Sequence, residues 1–231
     1  ELTRFFEIRS NFVKNVHYMS YFNLEEHLRR EHKRNAFSQY LREIVYGGND
    51  GIVTTFAVVA GFAGAQKDPT TFAVPIVSVL LFGLANLLAD GLSMSLGSFL
   101  SLRADQDVYR SEKAKESYEV IHEPDSEFAE TVEILKRKQF TEKDAYALAT
   151  IYRNNPHYWT EFMMKDELEM TNPEHENPAF VALFTFGAFT GFGFIPLVPF
   201  VLGLGSAFSV SIGCTVLALF LLGFLRAFVT K

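Results

Sequence analysis

Glu112, Glu116, Glu119 and Glu123 recur at steps of four, three and four, and Glu127 and Glu130 follow at a step of three. On a helix the first three steps bring four carboxylates to one face, where like charges repel unless water or a cation compensates them. A solvated acidic face is the plain alternative. Further along, Met163 and Met164 stand beside Glu167, which lies one turn later on the same side. Methionine alone would read as core filling. Carboxylates are hard oxygen ligands and thioethers are softer. Together they suit a borderline divalent ion such as Fe²⁺, with Mn²⁺ or Zn²⁺ as neighbours, better than Ca²⁺ or Mg²⁺.

A second set of polar residues lies in apolar surroundings. The stretch "IVYGGNDGIVTTFAVVAGFAGAQ", residues 44–66, is almost all apolar and yet contains Asp50. In "GLANLLADGLSMSLGSFLS", Asn86, Asp90, Met94 and Ser98 are spaced by four, a polar and thioether stripe on an apolar helix. Ionisable groups inside a membrane segment are rare and face a bundle interior or an ion pathway. A hydrogen bond from Asp90 to a neighbouring helix is the structural alternative. Gly83, Ala85, Ala89, Gly91 and Gly97 would permit close helix packing.

The elements that must position these residues follow from hydropathy. Of the 231 residues, 48% are hydrophobic, and they gather in blocks at about 44–66, 74–101, 179–202 and 206–229. Each block approaches the roughly 20 residues of a membrane-spanning helix. Four spans are expected. Residues 103–176 form an insert between the second and third, with 18 acidic and 10 basic residues, a net charge of −8. That balance suits cations and disfavours nucleic acid, whose phosphates need a basic surface.

Basic residues concentrate beside the blocks. Arg29, Arg30, Lys33, Arg34 and Arg42 precede the first, Arg103, Arg110, Lys113 and Lys115 follow the second, and Arg226 and Lys231 close the chain. The positive-inside rule then makes the insert and both termini cytoplasmic. Cys214, the single cysteine, permits no intrachain disulfide. Residues 1–43 are charged and show no cleavable signal peptide, and residues 1–23, rich in Phe and Tyr, could form an interfacial helix. Within the insert the spacing predicts helices over about 104–122, from Asp125 as N-cap to about 138, from Thr141 onward, and over "HYWTEFMMKDELEM" after the Asn155-Pro156 break. His157 and His175 are read as loop residues off the Glu/Met face.

The motifs "GGNDGIVTTFAVVAGFAGA", "GLSMSLGSFLS", "EFMMKDELEM" and "GFIPLVPF", in that order, resemble the vacuolar iron transporter family over about residues 40 to 230. The resemblance implies a homodimer that carries Fe²⁺ across a membrane in exchange for protons. It implies an ion path lined by Asp50 and Met94, and a cytoplasmic three-helix domain whose ligands fall on Glu116, Glu119, Glu127, Glu130, Met163, Met164 and Glu167. Where the family commonly carries Glu two turns before the pore Met, this chain has Asn86. Asp90 stands where Gly is usual, and Ser98 where a further Glu is common. The family has five spans, and the chain ends after the expected fourth.

The expected architecture is an all-α polytopic membrane bundle. Its divisions are a cytoplasmic N-terminal helical segment (1–42), spans one and two (43–102), the metal-binding insert (103–176) and spans three and four (177–231). The expected function is proton-coupled transport of Fe²⁺ out of the cytoplasm, through a bacterial inner membrane or a vacuolar membrane. The path residues would be Asp50, Asn86, Asp90 and Met94. Two other classes were weighed: a membrane-anchored iron buffer or sensor, and a carboxylate-bridged di-iron oxidase. The latter normally adds a Glu-x-x-His motif from each of two helices, and no such pair occurs.

Overall fold

The computed structural model describes residues 39–65 and 76–229, together with Glu26. The basic N-terminal segment, the possible interfacial helix and the "QKDPTT" connection lie outside these residues. Among the described residues every regular element is a helix. In chain order they are α1 (Leu41–Ala65), α2 (Ile76–His122), α3 (Pro124–Arg137), α4 (Glu142–Arg153), α5 (Pro156–Asp166), α6 (Pro178–Gly193), α7 (Val198–Val201) and α8 (Ala207–Val229). Short 3-10 turns at Pro173–His175 and Ile195–Leu197 precede α6 and α7.

Three stretches are long and apolar enough to cross a bilayer: within α2, over Pro178–Val201, and in α8. α1 has the length, at 25 residues, but Arg42, Glu43, Asn49 and Asp50 make its first half too polar for that group. It packs most extensively against α6 and also against α8 and α2, so it sits among the apolar helices.

Glycine permits that packing. Ile44, Gly47, Gly48, Gly51, Ile52, Thr55 and Val59 form the buried face of α1, and Gly47 and Gly51 are four apart, the small-residue spacing of close helix pairs. A Cβ at Gly51 would stand 2.2 Å from the Phe189 carbonyl oxygen, and one at Gly193 would stand 2.7 Å from the Gly51 oxygen. The backbones of α1 and α6 therefore touch.

The second apolar block and the first insert helix, expected as separate elements, are one 47-residue helix. At 1.5 Å per residue it is about 70 Å long, roughly twice the hydrocarbon thickness of a bilayer. The reason is visible in the sequence: from Ser98 to Glu123 the chain holds neither Gly nor Pro, and a change from apolar to charged side chains does not end a helix. Pro124 does, occupying the first turn of α3. That makes Glu123 the N-cap and puts Asp125, the expected cap, inside the first turn. Thr141 caps α4 as expected, its hydroxyl accepting the Asp144 amide at 3.2 Å.

α5 stops at Asp166, four residues short of the expected stretch, and Glu167 is its C-cap. His157 lies within α5 and His175 in a 3-10 turn, both outside the loops expected for them. The third apolar block also breaks. Pro196 and Pro199 remove two backbone donors, and the freed Pro196 carbonyl accepts the Ser211 hydroxyl of α8 at 2.7 Å.

The insert has its own core of Val120, Val132, Leu135, Ala145, Ala149, Trp159, Phe162 and Met163. It is held to the stalk formed by α2 and to the chain ahead of α6. The buried Gln106 amide donates to the Pro173 carbonyl at 3.1 Å and the Glu176 carbonyl at 2.9 Å, and Arg110 pairs with Glu174 at 2.8 Å.

The α1–α6 crossing makes a direct test. Gly51→Ala should destabilise the bundle by about 1–3 kcal/mol or more, as overpacking against a rigid backbone does. Gly61→Ala on the same helix meets no atom within 4 Å and should be neutral or stabilising by up to about 1 kcal/mol. Thermal unfolding in detergent compares the two, and equal unfolding temperatures would contradict the crossing.

Candidate metal centre

Five carboxylates converge where α2, α3 and the end of α5 meet. Glu116, Glu119 and Glu127 each place an oxygen within 4.8 Å of the others, and so do Glu127, Glu130 and Glu167. Glu127 belongs to both groups and joins them. Helical spacing explains the choice: Glu116 and Glu119 face the turn at Glu123, and Glu127 and Glu130 return along α3 after it. Glu112 and Glu123, on the same predicted stripe, belong to neither group.

Glu116 and Glu127 are buried, at 4% and 5% exposure, and each leaves a carboxylate oxygen without a hydrogen-bond partner. An unsatisfied buried polar group costs about 1–3 kcal/mol, and more when charged. The protons respond accordingly. Burial chiefly, then the charge and hydrogen bond of Glu116, push Glu127 up to about 8. Glu167 rises to about 7, first through the protein atoms packed around its carboxylate and then through Glu116, Glu130 and Glu119. Glu116 also rises through burial, while the hydrogen bond from Glu127 opposes the rise. Both members of the pair are thus shifted toward the protonated form, chiefly by burial.

Met163 and Met164, the expected thioether ligands, are both fully buried at 0% and 1% exposure. Met163 belongs to the insert core, and its sulfur accepts the Thr131 hydroxyl at 3.4 Å. Thr131 in turn accepts the Trp159 indole N–H at 2.7 Å. The one Glu-x-x-His step in the insert, Glu119 to His122, sends its ring elsewhere. His122 stacks on Tyr118 with centroids 3.9 Å apart, and its Nδ1 lies 2.8 Å from the Tyr118 carbonyl.

In the apolar bundle, Asn86, Asp90, Met94 and Ser98 share one half-buried face of α2, as their spacing predicts. A cavity of about 510 Å³ opens beside it, lined among others by Glu43, Met94, Ser98, Ser101 and Asp105. Asp50, Asn86 and Asp90 do not line it. Asp50 is half-buried on α1, its carbonyl accepting the Thr54 hydroxyl at 2.8 Å.

Sequence reasoning missed Glu43. It is 7% exposed and paired with the exposed Arg42 at 3.0 Å. The available signal was its position two turns before Asp50, the step that returns a helix to the same face.

The description "VIT family" matches residues 41–231. Over 206 residues the chain is 36% identical to a protein named vacuolar iron transporter from Toxoplasma gondii, covering 84% of this chain and 66% of the relative. It is 33% identical over 205 residues to vacuolar iron transporter 1 of Tulipa gesneriana, covering 87% and 80%. For vacuolar iron transporter 1 of Arabidopsis thaliana the values are 32%, 86% and 77%.

The carboxylates give a signed pH dependence. Because Glu127 and Glu167 titrate higher folded than unfolded, the native state binds more protons between about 4.5 and 8. Stability without metal should therefore be greatest below that window and fall as pH rises through it. A bound divalent ion should flatten or reverse the slope, and its binding at pH 7 should release protons. Differential scanning calorimetry with and without Zn²⁺ checks this, and Glu127→Gln should reduce the slope and leave the part carried by Glu167.

Proposed function

This chain belongs to the VIT family, and from that premise we propose that it carries Fe²⁺ across a membrane in exchange for protons, outward from the cytoplasm. The observation that carries the reading is the pair of buried, unsatisfied carboxylate oxygens on Glu116 and Glu127 inside a group of five acids. A divalent cation supplies what they lack. The names of the relatives favour iron, and Mn²⁺ and Zn²⁺ suit the same donors.

In this reading α1 is the first of four spans, with the insert, the start of α1 and the end of α8 on the cytoplasmic side. Glu116, Glu119, Glu127, Glu130 and Glu167 capture the ion, and the sulfurs of Met163 and Met164 complete a softer side of the site. Glu43, Met94 and Ser98 receive it at the cavity, and Asp50, Asn86 and Asp90 lie on the way through. A carboxylate can hold either a proton or a metal ion, so the two compete for Asp50, which is the physical basis of exchange. A two-fold dimer would double the few path ligands around one axis.

A metal buffer or sensor is the second reading, favoured by Asn86 and Ser98, which supply neutral groups along the α2 stripe. Proteoliposomes decide between the two. Wild-type protein should move Fe²⁺ inward or outward against a proton gradient. Asp50→Asn should bind metal in the insert with unchanged affinity yet transport at least tenfold more slowly. Wild-type rates of Fe²⁺ and proton movement in that variant would overturn the path, and no transport by the wild type would favour the buffer.

A further inference from the structure

Thr55 is fully buried on α1, and its hydroxyl has no hydrogen-bond partner among the described residues. Thr54, Thr185, Thr190 and Thr215 each donate to the carbonyl four residues earlier. For Thr55 that carbonyl belongs to Gly51, which the α1–α6 crossing presses against Gly193. A buried hydroxyl left unpaired is destabilising, and valine would fill the same space without that penalty. Thr55 thus has a use for a partner that the present arrangement does not supply.

Acceptors lie at its level. Ile52, three residues before Thr55, packs in a cluster with Ile195 and Ala218. Val59, four residues after it, packs in another with Leu197, Phe200 and Ala207. Between these two levels the Ser211 hydroxyl donates to the Pro196 carbonyl at 2.7 Å. Pro196 and Pro199 carry no N–H, so the chain offers more acceptors than donors here. The broken stretch is short: the 3-10 turn Ile195–Leu197 runs into the four residues of α7, and Gly203 follows with φ at +63°.

The same stretch closes the bundle. Leu197 reaches across to α2, where a Cβ at Gly83 would stand 2.6 Å from it. Asp50 lies on the insert side of this plug, five residues or about 7.5 Å back along α1 from Thr55. Beyond the plug, at the end of α1 and the start of α2, is a cavity of about 240 Å³ lined by Ala63, Ile76, Phe200 and Leu204.

We infer that residues 195–202 form a two-position plug on the side of the bundle away from the insert. In the position seen here Ser211 holds the Pro196 carbonyl and Thr55 is unpaired. In the other, Ser211 lets go and Thr55 donates to a carbonyl of the break. One hydroxyl replaces another, so the two positions stay close in free energy. Packed interfaces of this kind move between discrete arrangements rather than deforming continuously. Shifting Leu197 and Phe200 joins the far cavity to the level of Asp50. The purpose of the plug rests on the transport reading, whereas its two positions rest on Thr55, Ser211 and Pro196.

The test uses the full chain, in detergent and in proteoliposomes. Thr55→Val keeps the shape and removes the hydroxyl, which favours the position seen here. It should raise the unfolding temperature by about 2–4 °C. Hydrogen exchange at the amides of Leu197, Val198, Phe200 and Val201 should slow by about fivefold, the worth of one hydrogen bond. Fe²⁺ transport should slow by a similar factor while Fe²⁺ binding by the insert is unchanged. Thr55→Ser keeps the hydroxyl and should match the wild type, and Ser211→Ala should speed exchange in the same segment.

A lower unfolding temperature in Thr55→Val would show that the hydroxyl is already paired, through an internal water, and would overturn the plug. Unchanged exchange in both Thr55→Val and Ser211→Ala would overturn it too, as would wild-type transport by Thr55→Val. If the wild type moves no Fe²⁺, the transport reading fails, and unfolding temperature and exchange still decide whether the two positions exist.

Discussion

The insert is organised around an electrostatic conflict. Glu116 and Glu127 are buried side by side, each with an oxygen that nothing in the described protein satisfies. Placing three more carboxylates within reach deepens the conflict. Among the described residues Lys115 only partly offsets the acids around Glu116 and Glu167. Two responses remain: bind protons, or bind a cation of charge two. The raised titration of Glu116, Glu127 and Glu167 is the first response, and it leaves the site poised for the second. In the neighbouring core Trp159, Thr131 and Met163 are fully buried and linked by hydrogen bonds.

That conflict has to be held at a fixed distance from the membrane, and α2 does this by being unbroken. One helix carries Met94 at the first cavity and Glu116 in the acidic group, 22 residues apart, or about 33 Å along the axis. A flexible joint would let the acidic group wander. Instead Gln106 and Arg110, between the two, fasten the stalk to the turn that leads into α6. α6 in turn meets α1 backbone to backbone at Gly51 and Gly193. The insert and the helix that bears Asp50 are thus joined by a continuous series of contacts.

Much of this was legible in the residues. The steps of three and four placed Glu116, Glu119, Glu127 and Glu130 on helix faces, and Glu167 stood out beside Met163 and Met164, while the same stripe also held Glu112 and Glu123, which lie outside the acidic group. Met94 and Ser98 shared a face by the same spacing. What escaped was where chain connectivity or packing decides. The join at residue 103 was hidden by a change in composition that does not alter helical geometry. Glu43 was hidden because it stands next to Arg42 in a basic flank, and only the packing of α1 shows that one side chain is exposed and the other buried. The polar first half of α1 made it the least apolar of the expected spans, and three of its polar residues, Arg42, Glu43 and Asn49, line its cavities.

Thr131 limits how the methionines enter this scheme. Its hydroxyl has one proton, and because the Trp159 N–H already occupies one of its oxygen lone pairs, that proton is directed to Met163. The contact fixes the thioether in place and uses one sulfur lone pair, leaving the other for a softer ion. The carboxylates of α2 and α3 thus stand beside a core in which the Met163 thioether of α5 is already held by Thr131.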